Sequence, residues 1–287
     1  MILVTGTTGK IGGEVVKELS ALGAQFRALV RKSTDADKLN AQGVETVLGD
    51  FTQPQSIQTA LQGVERVFLL SPSSPMQTEL EEALVDEAKK AGVKQIVKLS
   101  VLGANSQANS RFLKWHAQIE QKIKASGIAY TFLRPNAFNQ NWVPIYAPSV
   151  VADGMIYAPA EDCKISWVNT RDIGAVAARV LTESGHEGNT YEITGPDALS
   201  YAQIAEKLSA LVGKKVTYVS VPDEGARQSI ISSGAPNWYA DGFVELYQFY
   251  RQGGGAVVTE TVKQVTKTKP RSLEAYLEEN AQAFKGS

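Results

Sequence analysis

This sequence predicts a doubly wound α/β fold, a parallel sheet covered by helices on both faces, with a small, mostly helical C-terminal lobe. Three observations carry that prediction. Short, continuously apolar runs alternate with amphipathic helical patterns through the first two-thirds of the chain. A glycine stands where several of those helices should stop. The first apolar run also meets a glycine-rich turn at once. Runs that are apolar throughout, rather than at every second residue, mark strands buried on both faces. A repeated strand–helix unit with short loops closes into a parallel sheet.

The expected strands are Ile2–Val4, Gln25–Val30, Val44–Leu48, Arg66–Leu70, Gln95–Leu99 and Ala129–Leu133. Helical patterns lie near 11–22, 54–61, 77–90 and 111–125. Within the third, Leu80, Leu84, Val85 and Ala88 recur at helical spacing. Gly23, Gly43, Gly63, Gly92 and Gly127 stand where a left-handed cap would end each helix. After Arg134 the pattern changes. Pro135, Pro144, Pro148 and Pro159 fall among many aromatics, as in an excursion over the C-terminal edge of the sheet. A helix at 171–183 and a strand at 190–193 return to the main fold. Segments 199–212, 215–221, 222–233 and 236–252 then predict a small lobe of helices with one strand. Gly253–Gly255 reads as a flexible break and Ser272–Phe284 as a terminal amphipathic helix. The expected division is a core at 1–134, rejoined by 165–195, and a substrate-side and C-terminal lobe at 135–164 and 196–287.

A chain of 287 residues suffices for one large α/β core and a smaller appended part. Its net charge of −1 offers no field that would hold a nucleic-acid backbone or an acidic membrane. A single cysteine, Cys163, precludes an intrachain disulfide and fits a reducing compartment. One cysteine and two histidines, His116 and His186, cannot build a Cys/His zinc site, and no metal is expected. The start of the chain lacks a basic leader followed by a long apolar stretch, and no apolar run approaches the ~20 residues of a membrane span. A cytoplasmic location is therefore expected.

Val4–Gly13 reads Val-Thr-Gly-Thr-Thr-Gly-Lys-Ile-Gly-Gly, directly after the first strand and opening the first helix. Gly6 would make the tight turn, Gly9 let a pyrophosphate approach the backbone, and Gly12 allow close helix packing. The N–H groups of Thr7, Thr8, Lys10 and Ile11, with the positive end of the helix dipole, would face the phosphates. Strand, loop and helix in that order mark a Rossmann-type dinucleotide site. An NAD-preferring site usually ends its second strand in Asp or Glu, which holds the ribose 2′-OH. Here that strand ends in Arg31-Lys32. A guanidinium grips a 2′-phosphate where a carboxylate would repel it. NADPH is the expected cofactor, with NADH left open should Arg31 stack on the adenine instead. Ser71 and Ser73 follow the fourth strand. They lie either beside the nicotinamide ribose or pyrophosphate, or in an ordinary turn.

The TGxTGxxG setting of these glycines resembles the extended and atypical short-chain dehydrogenase/reductases, and more narrowly their NmrA-like branch. Gly49-Asp50-Phe51, Gly92-Val93-Lys94, the run from Gly127 to Pro135 and Pro270-Arg271-Ser272-Leu273-Glu274 extend the resemblance over almost the whole chain. That branch includes redox-sensing regulators, NAD(P)H:quinone oxidoreductases and triphenylmethane-dye or azo-type reductases. The resemblance implies that Asp50 and Phe51 meet the adenine ring, Asp50 having a helix cap as its alternative role. It also implies that Pro135, Asn136 and Phe138 line the nicotinamide. Counting back from Gly127 places His116 where isoflavone-reductase-like relatives carry a catalytic lysine, and the dye and quinone reductases resemble this chain in having histidine there. His116 is thus the candidate catalytic residue, with a purely structural role in its helix as the alternative.

Residues 110–126 contain no Tyr-x-x-x-Lys pair, which counts against an alcohol dehydrogenase or an epimerase. Quinones and cationic dyes are already electrophilic. Their reduction needs proximity to the nicotinamide and exclusion of water more than a strong protein acid. Trp142, Tyr146, Tyr157 and Trp167 offer a flat apolar pocket, or core packing for at least two of them. Asp172 is read as helix cap and dipole partner, with no catalytic part. The expected function is NADPH-dependent hydride transfer to a quinone or similar planar acceptor. The alternative is a non-catalytic NADP(H) sensor acting through a protein partner. A homodimer stays open.

Overall fold

The structure, a computed structural model that describes residues 1–286, alternates strands and helices from its start. In order these are β1 (Ile2–Val4), α1 (Lys10–Ala21), β2 (Phe26–Val30), α2 (Ser33–Asn40), β3 (Glu45–Leu48), α3 (Pro54–Ala60), β4 (Arg66–Leu69), α4 (Gln77–Lys90), β5 (Gln95–Leu99), α5 (Arg111–Ser126) and β6 (Ala129–Pro135). A 3-10 turn at Asn139–Asn141 leads into α6 (Trp142–Asp153), β7 (Met155–Ala158), β8 (Lys164–Ile165), α7 (Thr170–Thr182) and β9 (Thr190–Ile193). The chain ends with β10 (Leu199–Ser200), α8 (Tyr201–Val212), β11 (Thr217–Ser220), α9 (Asp223–Ser232), α10 (Asn237–Arg251), α11 (Thr261–Thr266), α12 (Leu273–Glu279) and α13 (Ala281–Lys285).

Seven strands pair in the order β3-β2-β1-β4-β5-β6-β9, and every pairing is parallel. The order reverses between β1 and β4, and that reversal opens a crevice at the strands' C-terminal ends. Successive residues of each strand face opposite layers. Ile2 and Val4 pack with Val15 and Leu19 of α1 and with Val176 and Val180 of α7. Leu3 between them packs on the other face with Leu84 of α4 and Ile119 and Ile123 of α5. Each such side chain contributes roughly 1.5–3 kcal/mol by leaving water. The fold is the expected doubly wound sheet.

Some elements depart from expectation. Helix α2 is signalled in the sequence only by Gly43 after its end, because among its eight residues only Ala36 is buried and no apolar stripe announces it. The lobe holds four short strands rather than one. β11 pairs with β7, and β10 with β8, so each depends on a partner distant in sequence that no local pattern reveals. The terminal helix breaks at Asn280 into α12 and α13. Gly253–Gly255 is packed rather than loose. A Cβ on Gly254 would fall 2.2 Å from the Phe249 ring, and the Gly255 carbonyl accepts from the Ser166 N–H at 2.9 Å. The chain also returns to the main core at α11, where Val262 packs among the α1 and α7 residues.

The lobe has its own core. Trp142, Tyr146, Trp167, Tyr201 and Tyr247 are all buried in it. The Tyr146 hydroxyl lies 2.8 Å from that of Tyr201 and 3.0 Å from that of Tyr247. Tyr157 instead is exposed and donates to Asp153 at 3.0 Å. Among the four aromatics considered for a flat pocket, three are therefore core. Among the described residues no helix is long and apolar enough to cross a membrane.

Candidate functional site

The crevice at the β1/β4 reversal holds a cleft of about 430 Å³. Its walls come from Gly6–Thr8, the end of β2 with Arg31, the Asp50–Thr52 turn, and Ser71, Pro72 and Ser74 after β4. Thr5, fully buried beneath the loop, ties it to β4. Its N–H donates to the Phe68 carbonyl at 3.1 Å, and its hydroxyl accepts from the Leu70 N–H at 2.8 Å. The chain then turns at Gly6 with φ 68°, where a Cβ would meet Leu70 at 2.8 Å. Both the left-handed backbone and the contact require glycine.

The three loop glycines divide the work. A Cβ on Gly12 would lie 2.1 Å from the Gly6 carbonyl oxygen, so Gly12 is what lets α1 approach the loop. Gly9 has ordinary extended backbone, φ −89° and ψ 171°, and its nearest obstacle is the Gly6 oxygen at 3.3 Å. Apart from that oxygen and the residue's chain neighbours, no atom of the protein comes within 4 Å of a Cβ placed there, which leaves space above Gly9. With no acidic residue in the first turn of α1, the helix N-terminus is left electropositive toward that space. A loop and cleft of this shape fit a dinucleotide pyrophosphate.

The remaining loop residues act through their backbone more than their side chains. Thr7 is buried and donates to the Leu29 carbonyl at 3.1 Å, while Ile11 packs into the core. Thr8 is exposed at the cleft wall. Lys10 reaches away across the loop. Its Nζ lies 3.0 Å from Asn141 Oδ1 and 3.3 Å from the Gln140 carbonyl, tying the loop to the lobe.

At the adenine end, Arg31 is exposed and makes no hydrogen bond or ion pair among the described residues. Asp50 does not cap α3. Its Oδ1 accepts from the Thr52 N–H at 2.8 Å and hydroxyl at 2.7 Å, closing its own turn. Those two bonds, with a smaller contribution from the Arg31 charge, hold its carboxyl below the usual range. Phe51 lines the same wall. Sequence reasoning missed Asp35, which lines this end from the first turn of α2, because the sequence signals the helix that carries it only past its end.

Toward the other end, Ser71 and Ser74 line the cleft, whereas Ser73 is exposed outside the wall. Ser71 is buried and donates to Glu81 Oε1 at 2.7 Å. Pro135 ends β6, and its carbonyl accepts from the Leu102 N–H at 2.9 Å. The Asn136 side chain is buried just after β6. Its Nδ2 donates to Ser166 Oγ and to the Gly255 carbonyl, both at 2.8 Å, so both amide protons are committed within the protein. Phe138 is partly buried, bridges to Val168 and packs on the main core. Arg134 points back to Glu120, which also accepts from the Ser100 hydroxyl at 2.5 Å.

His116 sits half-buried in α5, and its Nδ1 is fully buried and has no partner among the described residues. Burial, and next the charge of Lys98, hold the imidazole well below its ordinary range. At neutral pH the ring is therefore uncharged. Asp172 stands in the first turn of α7, where the helix dipole favours it, but does not cap the helix: Asn169 does, its side chain accepting from the Arg171 N–H at 3.0 Å. Asp172 instead is buried and clasps Arg271, accepting from its N–H at 2.7 Å and from its guanidinium.

Comparison with known proteins agrees with this geometry. An azoreductase of Xenophilus azovorans named for its use of NAD(P)H is 40% identical over 284 residues, covering 99% of each chain. The NADPH complex of the quinone oxidoreductase QOR2 from Escherichia coli superposes with a TM-score of 0.89 at 31% identity, covering 98% of each chain. Triphenylmethane reductase of Citrobacter sp., complexed with NADP(H), superposes with a TM-score of 0.89 at 28% identity, covering 98% of this chain and all of that one. The NmrA-like family pattern matches residues 1–277, and the chain belongs to the NmrA-like family.

Proposed function

We propose that this protein is an NADPH-dependent reductase that passes hydride to a quinone or similar planar, electrophilic acceptor. One observation carries the reading: the glycine cradle and its cleft match a dinucleotide in shape and charge, in a chain that aligns end to end with reductases named for NAD(P)H. When bound, NADPH supplies the hydride. The backbone N–H groups of Thr7, Thr8, Lys10 and Ile11 hold the pyrophosphate over Gly9, whose own N–H closes the loop onto the Gly6 carbonyl at 3.0 Å. Arg31 takes the 2′-phosphate, and Asp50 and Phe51 flank the adenine. Ser71 and the Pro135–Phe138 segment border the nicotinamide side.

No strong protein acid is required of the chain. Neutral His116 orients the acceptor by a hydrogen bond, and the lobe shields the reacting centre from water. Cys163, a free thiol pushed up to about 11 by burial, suits a cytoplasmic protein.

The test is NADPH oxidation against a panel of quinones, azo dyes and triphenylmethane dyes. Acceptor-dependent oxidation, one NADPH per two-electron reduction, is expected. Tight NADPH binding with no oxidation across the panel would replace this reading with that of a nucleotide sensor.

A further inference from the structure

Behind the cleft wall lies an ion pair with no exposure at all. Lys98 Nζ of β5 stands 2.8 Å from Glu81 Oε2 of α4, and both side chains are fully buried. Glu81 Oε1 accepts from the Ser71 hydroxyl at 2.7 Å and from Gln77 Nε2 at 3.3 Å. Lys98 also donates to the carbonyl of Leu99 at 2.5 Å. A buried pair is a poor source of stability, since well-packed apolar residues of similar volume do as well or better. Its place therefore calls for another reason, and Ser71 supplies one.

A serine hydroxyl carries one proton and two lone pairs. With that proton donated to a carboxylate, Ser71 Oγ offers the cleft lone pairs only. We infer that Glu81 and Lys98 are positioning residues that fix the polarity of Ser71, making it a committed acceptor for a hydrogen-bond donor on the nicotinamide–riboside half of the cofactor. Lys98 supplies the counter-charge that keeps the carboxylate in the core, Glu81 takes the serine proton, and Ser71 meets the ligand. The inference rests on the cofactor orientation proposed above, with adenine at Arg31 and Asp50.

The probes are NADPH and adenosine 2′,5′-bisphosphate, which lacks the nicotinamide half, titrated calorimetrically. Glu81→Leu/Lys98→Met removes the charges together and leaves an apolar core. NADPH affinity is expected to fall about three- to tenfold while the bisphosphate binds as before. Ser71→Ala should reproduce that loss alone and add little in the double-variant background. Equal losses for both probes, unchanged NADPH affinity in the double variant, or a full Ser71→Ala penalty in both backgrounds would overturn the inference. Should the double variant not fold, Ser71→Ala decides alone, and undiminished NADPH affinity in it overturns the proposal. Wild type that binds neither probe would overturn the cofactor reading itself, and this inference with it.

Discussion

At Gly12 a Cβ would fall 2.1 Å from a backbone oxygen, whereas at Gly9 it would meet nothing closer than 3.3 Å. The same substitution should thus have opposite signatures at the two sites. Gly12→Ala is expected to cost about 3 kcal/mol or more in urea unfolding, since the obstacle is backbone and cannot swing away. Arg31→Ala should weaken NADPH about tenfold to a hundredfold and leave NADH nearly unchanged, because only NADPH carries the 2′-phosphate. Equal losses would assign Arg31 to adenine stacking. His116→Ala should raise KM or trim kcat modestly, because a neutral imidazole has no extra proton to give at pH 7. A kcat drop of about 10²–10⁴-fold with loss of an inflection near neutrality would make it a general acid. Stability carries the same mark. The folded protein protonates His116 only well below 6.5, the unfolded chain near that value, so stability is whole above it and declines as pH falls beneath it. His116→Gln should lessen that decline. The glycines and Arg31 were legible because their roles are set by local spacing. The commitments of Asn136 and Asp172 were not, since their partners lie 119 and 99 residues away.

Elements longer than one turn with a clear apolar period stood out in the sequence, and β1 through β6 begin and end within about two residues of expectation. What escaped was short, borrowed its stability from elsewhere or, like the twelve-residue α6 with Pro148 inside it, hid behind proline. Helix α2 buries one residue, and β8 and β10 are two residues each, paired only with one another. The cap of α7 shows the same division. Asn169 does locally what Asp172 was expected to do, which leaves Asp172 for the clasp on Arg271 just before α12. Asp172→Ala should cost about 1–3 kcal/mol, less than a fully buried pair because Arg271 is half-exposed. Thermal or urea unfolding reads this directly, and unchanged stability would mean the clasp is open in solution.

Across the whole molecule, polar ties join the main core to the lobe at several places, beside aromatic packing of Phe112 and Trp115 on Trp238. Lys10 reaches Asn141, and Arg111 at the start of α5 grips Glu245 of α10 at 2.6 Å. Asn136 holds the Gly255 carbonyl. The overall plan was legible because parallel strands advertise themselves by continuous apolar runs. The weave of the lobe was not, because its strands pair across distant segments. A ligand that binds the folded chain alone should stabilise the assembly. NADPH at about a hundredfold over its Kd should add about 2.7 kcal/mol and raise the melting temperature by several degrees. The central claim is that the cofactor lies over Gly9 and drives acceptor reduction. It is tested most directly by NADPH-dependent quinone reduction in wild type and in Gly9→Val. That variant should fold, because the backbone of Gly9 is ordinary and the Gly6 carbonyl, 3.3 Å from a Cβ there, needs to give by only a few tenths of an ångström. The account predicts turnover in the wild type and, in the folded variant, loss of both NADPH binding and turnover. A folded Gly9→Val that reduces quinone at the wild-type rate would contradict it.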